Sequence, residues 1–363
     1  LGVPLGPALA GELGQAVVRL GGRVIVRSSS PLEHDPRWSG AFSSVAEVGP
    51  GDIGTAVRSV WASAFAADPL GRLAACGMDP AGLELAVLIQ PEISPASGGI
   101  ARVRGDEVTV EGVAGHPGAM LSGWADGAAA RVRGISPAGD VRVPQVTGDL
   151  PRLIGSETVM AVARLAQDTA RALGGGVIEW AAAAGGVYLL QSLPAVPQPV
   201  LAGTAAPHAP AATRAPAATR EGPGGPHAYR LAASPAVAGH GAGRLLHRRP
   251  HEGLPPDGGD IVLLVDHPVP ALAPLLFAGR AGGPQARARR SGLHAPAVRG
   301  IISRGGPASS HLSEVARALG IPMVVRCDPV AVTGQRPGRD GGWLAAVDGS
   351  AGQVTLTRAA GGP

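Results

Sequence analysis

Lysine is absent from this 363-residue sequence: all 31 side chains of the lysine-plus-arginine count are arginines. A phosphate-binding loop of the GxxxxGK[ST] type is thereby excluded, because its lysine has no candidate. Cysteine is nearly absent. Cys76 and Cys327 stand alone without CxxC spacing, which argues against a disulfide framework or thiolate zinc site and leaves both as small buried residues. Aromatic residues make up only 3%, so the formal net charge of +4 comes without stacking platforms. No nucleic-acid partner is expected on that ground, whereas acidic small molecules such as nucleotides suit the balance. No stretch approaches the ~20 apolar residues that span a bilayer. The opening LGVPLGPALAGELG lacks the basic and long apolar parts of a leader. A soluble cytoplasmic protein without a membrane partner is the expectation, and the opening at Leu1 rather than Met suggests a natural start further upstream.

What is abundant is glycine (56) and proline (35), together about a quarter of the chain, beside 45% hydrophobic residues. That mixture predicts folded blocks and a loose connector. ALAGELGQAVVRL at 8–20 has helical apolar spacing and stops at Gly21-Gly22, and the strand-like RVIVR follows. A helix over 51–67, the buried strand LELAVLIQP, short strands around 100–111, a helix over about 156–173, and a hairpin joining VIEW to VYLLQ across AAAAGG complete a first block, 1–194. Residues 195–229, rich in Pro, Ala and Gly with the near-repeat APAATR, predict a semi-extended linker. A second block, 230–358, resumes with the strands IVLLVD, RGIIS, PMVVR and QVTLT. The arginine-rich GRAGGPQARARRSGLHAP between Phe277 and Ala297 reads as a solvated loop.

His311 is the most informative single residue. Ser310 can cap a helix with the apolar pattern Leu312, Val315, Ala316, Leu319, and Gly320 with Pro322 supplies the stop. The histidine therefore falls in the first turn, where free N–H groups and the helix dipole favour a negative group such as a phosphoryl carried on the imidazole. The other histidines, among them His34, His116, His247, His251, His267 and His294, lack ligand spacing.

The string GGPASSHLSEVARALGIPMVV at 305–325 resembles the phosphohistidine domain of the phosphoenolpyruvate-utilising enzymes: a Gly-Gly-x-x-Ser-His segment, a helix with Ala-Arg, then Gly-Ile-Pro-x-Val-Val. ASPAVAGHGAGR at 233–244 and VDGSAGQVTL at 347–356 are similar to the family's opening strand and closing hairpin. In the first block, VIVRSSSPLEHDPRWSGAF, VLIQPEISPASGGIARV and VIEWAAAAGGVYLLQSLP resemble segments of its nucleotide-binding half.

The resemblance implies an α+β fold: a partial ATP-grasp-like nucleotide-binding domain (1–194), joined by the linker to a swivelling β/β/α phosphohistidine domain (230–358). It implies ATP and Mg2+ as cofactors and His311 as the catalytic phosphoryl carrier. Arg27, Gly40, Ser44 and Gln90 would lie at the nucleotide, and Glu179 and Gln191 would hold the metal. A guanidinium fork, oxygen ligands and backbone amides suit phosphoryl transfer, which is mostly positioning and charge neutralisation. Two departures stand out. The family's lysine-bearing half of the cleft is missing, so it comes from a separate chain or is lost. Gln191-Ser192-Leu193-Pro194 replaces Gln-x-Arg-Pro, with Arg102 the candidate to compensate. Three functions follow as expectations: an ATP-dependent phosphotransferase component with a small-molecule or protein acceptor, a non-catalytic relative, and a phosphocarrier charged by a separate kinase.

Overall fold

The computed structural model describes residues 3–134, 144–194, 219–220, 228–256, 259–277, 296–334 and 342–359. Helices with mixed and antiparallel sheets make the chain α+β, as expected. Within the expected linker only 219–220 and 228–229 are described; the two-residue strand Thr219–Arg220 pairs there with Ala228–Ala232. The arginine-rich stretch lies, but for its last residue, outside the described residues.

The first sheet has three antiparallel strands in the order Val45–Val48, Val24–Ser29, Ala86–Pro91. Val24 and Val26 alternate into a core with Val17, Ile53, Val57 and Val60, contributed by helices Pro7–Arg19 and Ile53–Ser63. Period-two alternation sends Ile25 and Arg27 to the other face, and their ladder partners Gln90 and Leu88 share it. Helix Ala67–Cys76 has no counterpart in the sequence reading. Pro69 sits in its first turn, where a missing N–H is harmless, and left-handed Gly77 ends it.

The second sheet has six antiparallel strands in the order Gln145–Gly148, Ala128–Arg133, Glu107–Ala114, Ser97–Arg104, Gly175–Ala183, Gly186–Pro194. Helix Ser156–Leu173, with the expected limits, covers the face built from Ala101, Val108, Val110, Ile178 and Trp180. On the opposite face Glu111, Ile100, Glu179 and Gln191 form one row across four strands. Residues Gly175–Ala182 are all buried, so both faces of that strand are covered.

The third sheet has nine strands, with a parallel centre of His240–His247, Asp260–Val265, Ala297–Ser303 and Met323–Val325. Helix His311–Ala318 follows the third of these and buries Leu312, Val315 and Ala316 against Leu263, Val265 and Ile301. Left-handed Gly320 turns the chain into the fourth.

Candidate functional site

His311 is the first residue of its helix. Ser310 caps the turn, its Oγ accepting from the Ser313 N–H at 3.2 Å while the Ser313 hydroxyl donates to the Ser310 carbonyl at 2.7 Å. The imidazole is half-buried and rests on the N-terminal part of the chain. Its Nδ1 lies 2.9 Å from Ser39 Oγ. A Cβ at Gly40 would stand 2.7 Å from His311 Cγ, so only a glycine lets the ring pack there. The left-handed φ of 65° at Gly40 independently favours glycine. Arg72, fully buried, fixes this turn: it pairs through two nitrogens with Asp68, each at 2.7 Å, and donates to the carbonyls of Arg37 and Ser39 at 2.8 and 3.0 Å.

Burial holds the His311 imidazole below its ordinary value. Glu179 and Glu314 favour the charged ring and Arg72 and Arg27 oppose it, without reversing that outcome. A histidine depressed in this way binds fewer protons packed than exposed. Its packing is therefore fully favourable above the ordinary histidine value of ~6.5 and weakens as pH falls below that. An NMR titration of the His311 Cε1 proton is expected to give a midpoint below the ordinary value; a midpoint at or above it would contradict the packing.

Arg27 donates to Gln191 Oε1 at 3.0 Å and to the Leu190 carbonyl at 3.2 Å, and lies 4.0 Å from the Glu179 carboxylate. The structure thus brings Arg27, Glu179 and Gln191 together, within electrostatic reach of His311, and puts Gly40 directly under the ring. Gln90 shares Arg27's sheet face. Ser44, exposed, precedes Val45, whose ladder partner is Val26, and so continues that register toward Arg27. Among the described residues no hydrogen bond joins Ser44 or Gln90 to the Arg27 group.

The donor set fits the groups expected there. Glu179 and Gln191 are oxygen donors of the kind a hard cation takes, and Arg27 supplies a fork for phosphate. Among the described residues no three His, Cys, Asp or Glu side chains cluster as a metal cage. Leu193, where an arginine was expected, is 4% exposed and packs with Ile100, Met120, Leu121 and Val177. Arg102 does not stand in for that arginine, because its guanidinium is engaged by Glu314 at 2.5 Å. Sequence reasoning missed Ser39, Arg72 and Glu314, and also Glu111, which accepts from Ser309 Oγ at 2.8 Å. Their spacing in the chain carries no signal of these contacts.

Residues 290–352 match the family described as PEP-utilising enzyme, mobile domain. The match covers the segment that holds His311 and its helix. No curated protein matches the chain. Among solved structures, it is similar to the solution NMR structure of a UPF0107 protein, at 15% identity over 34% of this chain and 96% of that one. The TM-score of that match is 0.21. Among the described residues no helix is long and apolar enough to cross a membrane.

Proposed function

We propose that this chain is an ATP-dependent phosphotransferase component that carries a phosphoryl group on His311 and passes it to a small-molecule or protein acceptor. Residues 1–194 would be a partial ATP-grasp-like domain, 195–229 a linker and 230–358 the swinging carrier. The observation that carries the reading is the seating of His311 on Ser39 and Gly40 beside the Arg27, Glu179 and Gln191 group.

In this reading the ring proton resides on Nδ1, donated to Ser39 Oγ, and Nε2 keeps its lone pair. Nε2 attacks the phosphoryl phosphorus, and the bond to the leaving oxygen breaks with its electrons going to that oxygen. The positive charge the ring gains is the charge Glu179 and Glu314 favour. Arg27 would orient the phosphates, and Glu179 with Gln191 would hold Mg2+, which when bound neutralises charge on the transferred group. Splitting one transfer into two through a histidine is why the carrier must move. A lysine on the phosphates would come from outside this sequence.

A second reading, a carrier charged by a separate kinase, is favoured by one observation. Leu193 packs as apolar floor where the family pattern has a guanidinium. Incubation with ATP labelled at the β or γ position decides between them. Acid-labile protein phosphate from ATP alone, absent in His311→Ala, supports the first reading, and label only with an added kinase supports the second. No label under either condition overturns both.

A further inference from the structure

Two ion pairs tie the nine-stranded sheet and its helices to the six-stranded sheet and its loops among the described residues. Arg326–Asp126 spans 3.4 Å between side chains 35% and 57% exposed, a setting in which ion pairs contribute little. Arg102–Glu314 is different, with side chains 13% and 3% exposed. Arg102 Nη2 donates to Glu314 Oε1 at 2.5 Å and Nη1 reaches Oε2 at 3.5 Å. Arg317, on Glu314's own helix, donates to Oε1 at 2.8 Å and to the Ala236 carbonyl at 2.6 Å.

The two arginines are not equivalent. Arg317 travels with Glu314 when the helix moves, whereas Arg102 stays on its strand. Removing every partner from a buried carboxylate is strongly unfavourable, but Glu314 would keep Arg317 after the sheets part, and Arg102 would open to water. Such a pair can break and re-form without stranding a buried charge. Glu314 is also three residues from His311, one helical turn along, so whatever holds Glu314 holds the imidazole over Gly40.

We infer that Arg102 is a positioning residue: its ion pair with Glu314 is the latch that fixes helix His311–Ala318 against the six-stranded sheet and keeps His311 seated. It acts on the reaction through the fraction of molecules docked, not by touching the phosphoryl group. The inference rests on the reading of residues 230–358 as a swinging carrier.

The chain contains its own reporters of docking. Cys76, at the end of helix Ala67–Cys76, packs with Ala75 against the core of the nine-stranded sheet, so separation would bare its thiol. Cys327 is buried within that sheet's other core, and burial pushes its thiol up to about 12. Alkylation of the full-length protein by iodoacetamide, read at each cysteine by peptide mass spectrometry, therefore measures docking with an internal control. Arg102→Met is expected to speed Cys76 alkylation about tenfold or more, the range for a charged hydrogen bond, with Cys327 unchanged. Glu314→Gln should act in the same direction, and the double variant should exceed the larger single effect by little, as for two members of one interaction. Unchanged Cys76 alkylation in Arg102→Met would overturn the latch. So would equal acceleration at both thiols, which marks loosening of the fold. Failure of ATP to label His311 would sink the loading reading yet leave the Cys76 result to decide the latch.

Discussion

Gly40→Ala is expected to undock His311. The added Cβ would meet Cγ, Cβ and Cδ2 of His311 at 2.7–2.8 Å, closer than such atoms pack, so either the histidine or the turn must move. Overpacking of this kind costs about 1–3 kcal/mol, or roughly 5–150-fold in the docking equilibrium constant. A further cost of about 1–2 kcal/mol arises from placing alanine at a left-handed φ. It falls on the Ser39–Gly40 turn whether or not His311 is present, so it lowers the stability of that turn without biasing docking. Two measurements separate these effects. The rate of ATP-dependent labelling of His311 should fall as docking weakens, and Cys76 alkylation should rise in proportion to the undocked fraction. In Gly40→Ala combined with His311→Gly every clashing atom of residue 311, its Cβ included, is gone, so Cys76 should be protected again while labelling is nil. Wild-type labelling in Gly40→Ala would refute the seating of His311 on that glycine.

Arg72→Met is expected to lose about 3–5 kcal/mol of stability, the range for breaking a buried ion pair from one side. Arg72 is 0% exposed, and its loss would leave Asp68, whose carboxyl burial already pushes above its ordinary value, without its guanidinium. The urea midpoint of the N-terminal part should drop accordingly. Asp68→Leu with Arg72→Met removes both charges and should recover much of that loss, since an apolar pair of similar size replaces a buried ion pair with little penalty. It should not recover docking. The carbonyls of Arg37 and Ser39 would still lack their donor, and the turn that presents Ser39 and Gly40 to His311 would stay loose. Full recovery of Cys76 protection in the double variant would show that Arg72 serves stability alone.

Much of this arrangement was legible in the chain. Ser310, the apolar stripe Leu312, Val315, Ala316 and the stop at Gly320 define helix His311–Ala318 from local chemistry alone. The hairpin across AAAAGG sets its own register as far as Trp180 and Leu189, but Glu179 comes opposite Gln191 only through a one-residue shift between Glu179 and Trp180, which the turn does not announce. What the chain hides is every contact between distant segments. Ser39 lies 272 residues from His311 and Arg102 lies 212 from Glu314. Arg72 sits on a helix whose aspartate-proline start resembles a loop, and its role depends on carbonyls 33 and 35 residues away. Period and propensity report a residue's own element. They are silent on which other element it will meet.

Arg27 and Arg72 act on the His311 imidazole, and Arg102 and Arg317 pair with Glu314 one helical turn along. A guanidinium keeps its proton throughout the working range of a protein, and even Arg317, lowered by burial and by Arg102 to about 10, remains charged at neutral pH. Glu314 stays ionised just as firmly: burial pushes its carboxyl up, but Arg102 and Arg317 outweigh it and hold it at about 2. The electrostatic surroundings of the imidazole are thus a constant of the molecule, set by groups that neither take up nor give away protons near neutrality. Around His311, arginine works as fixed scenery. In the proposed transfer the charge that changes is that of the imidazole set among them.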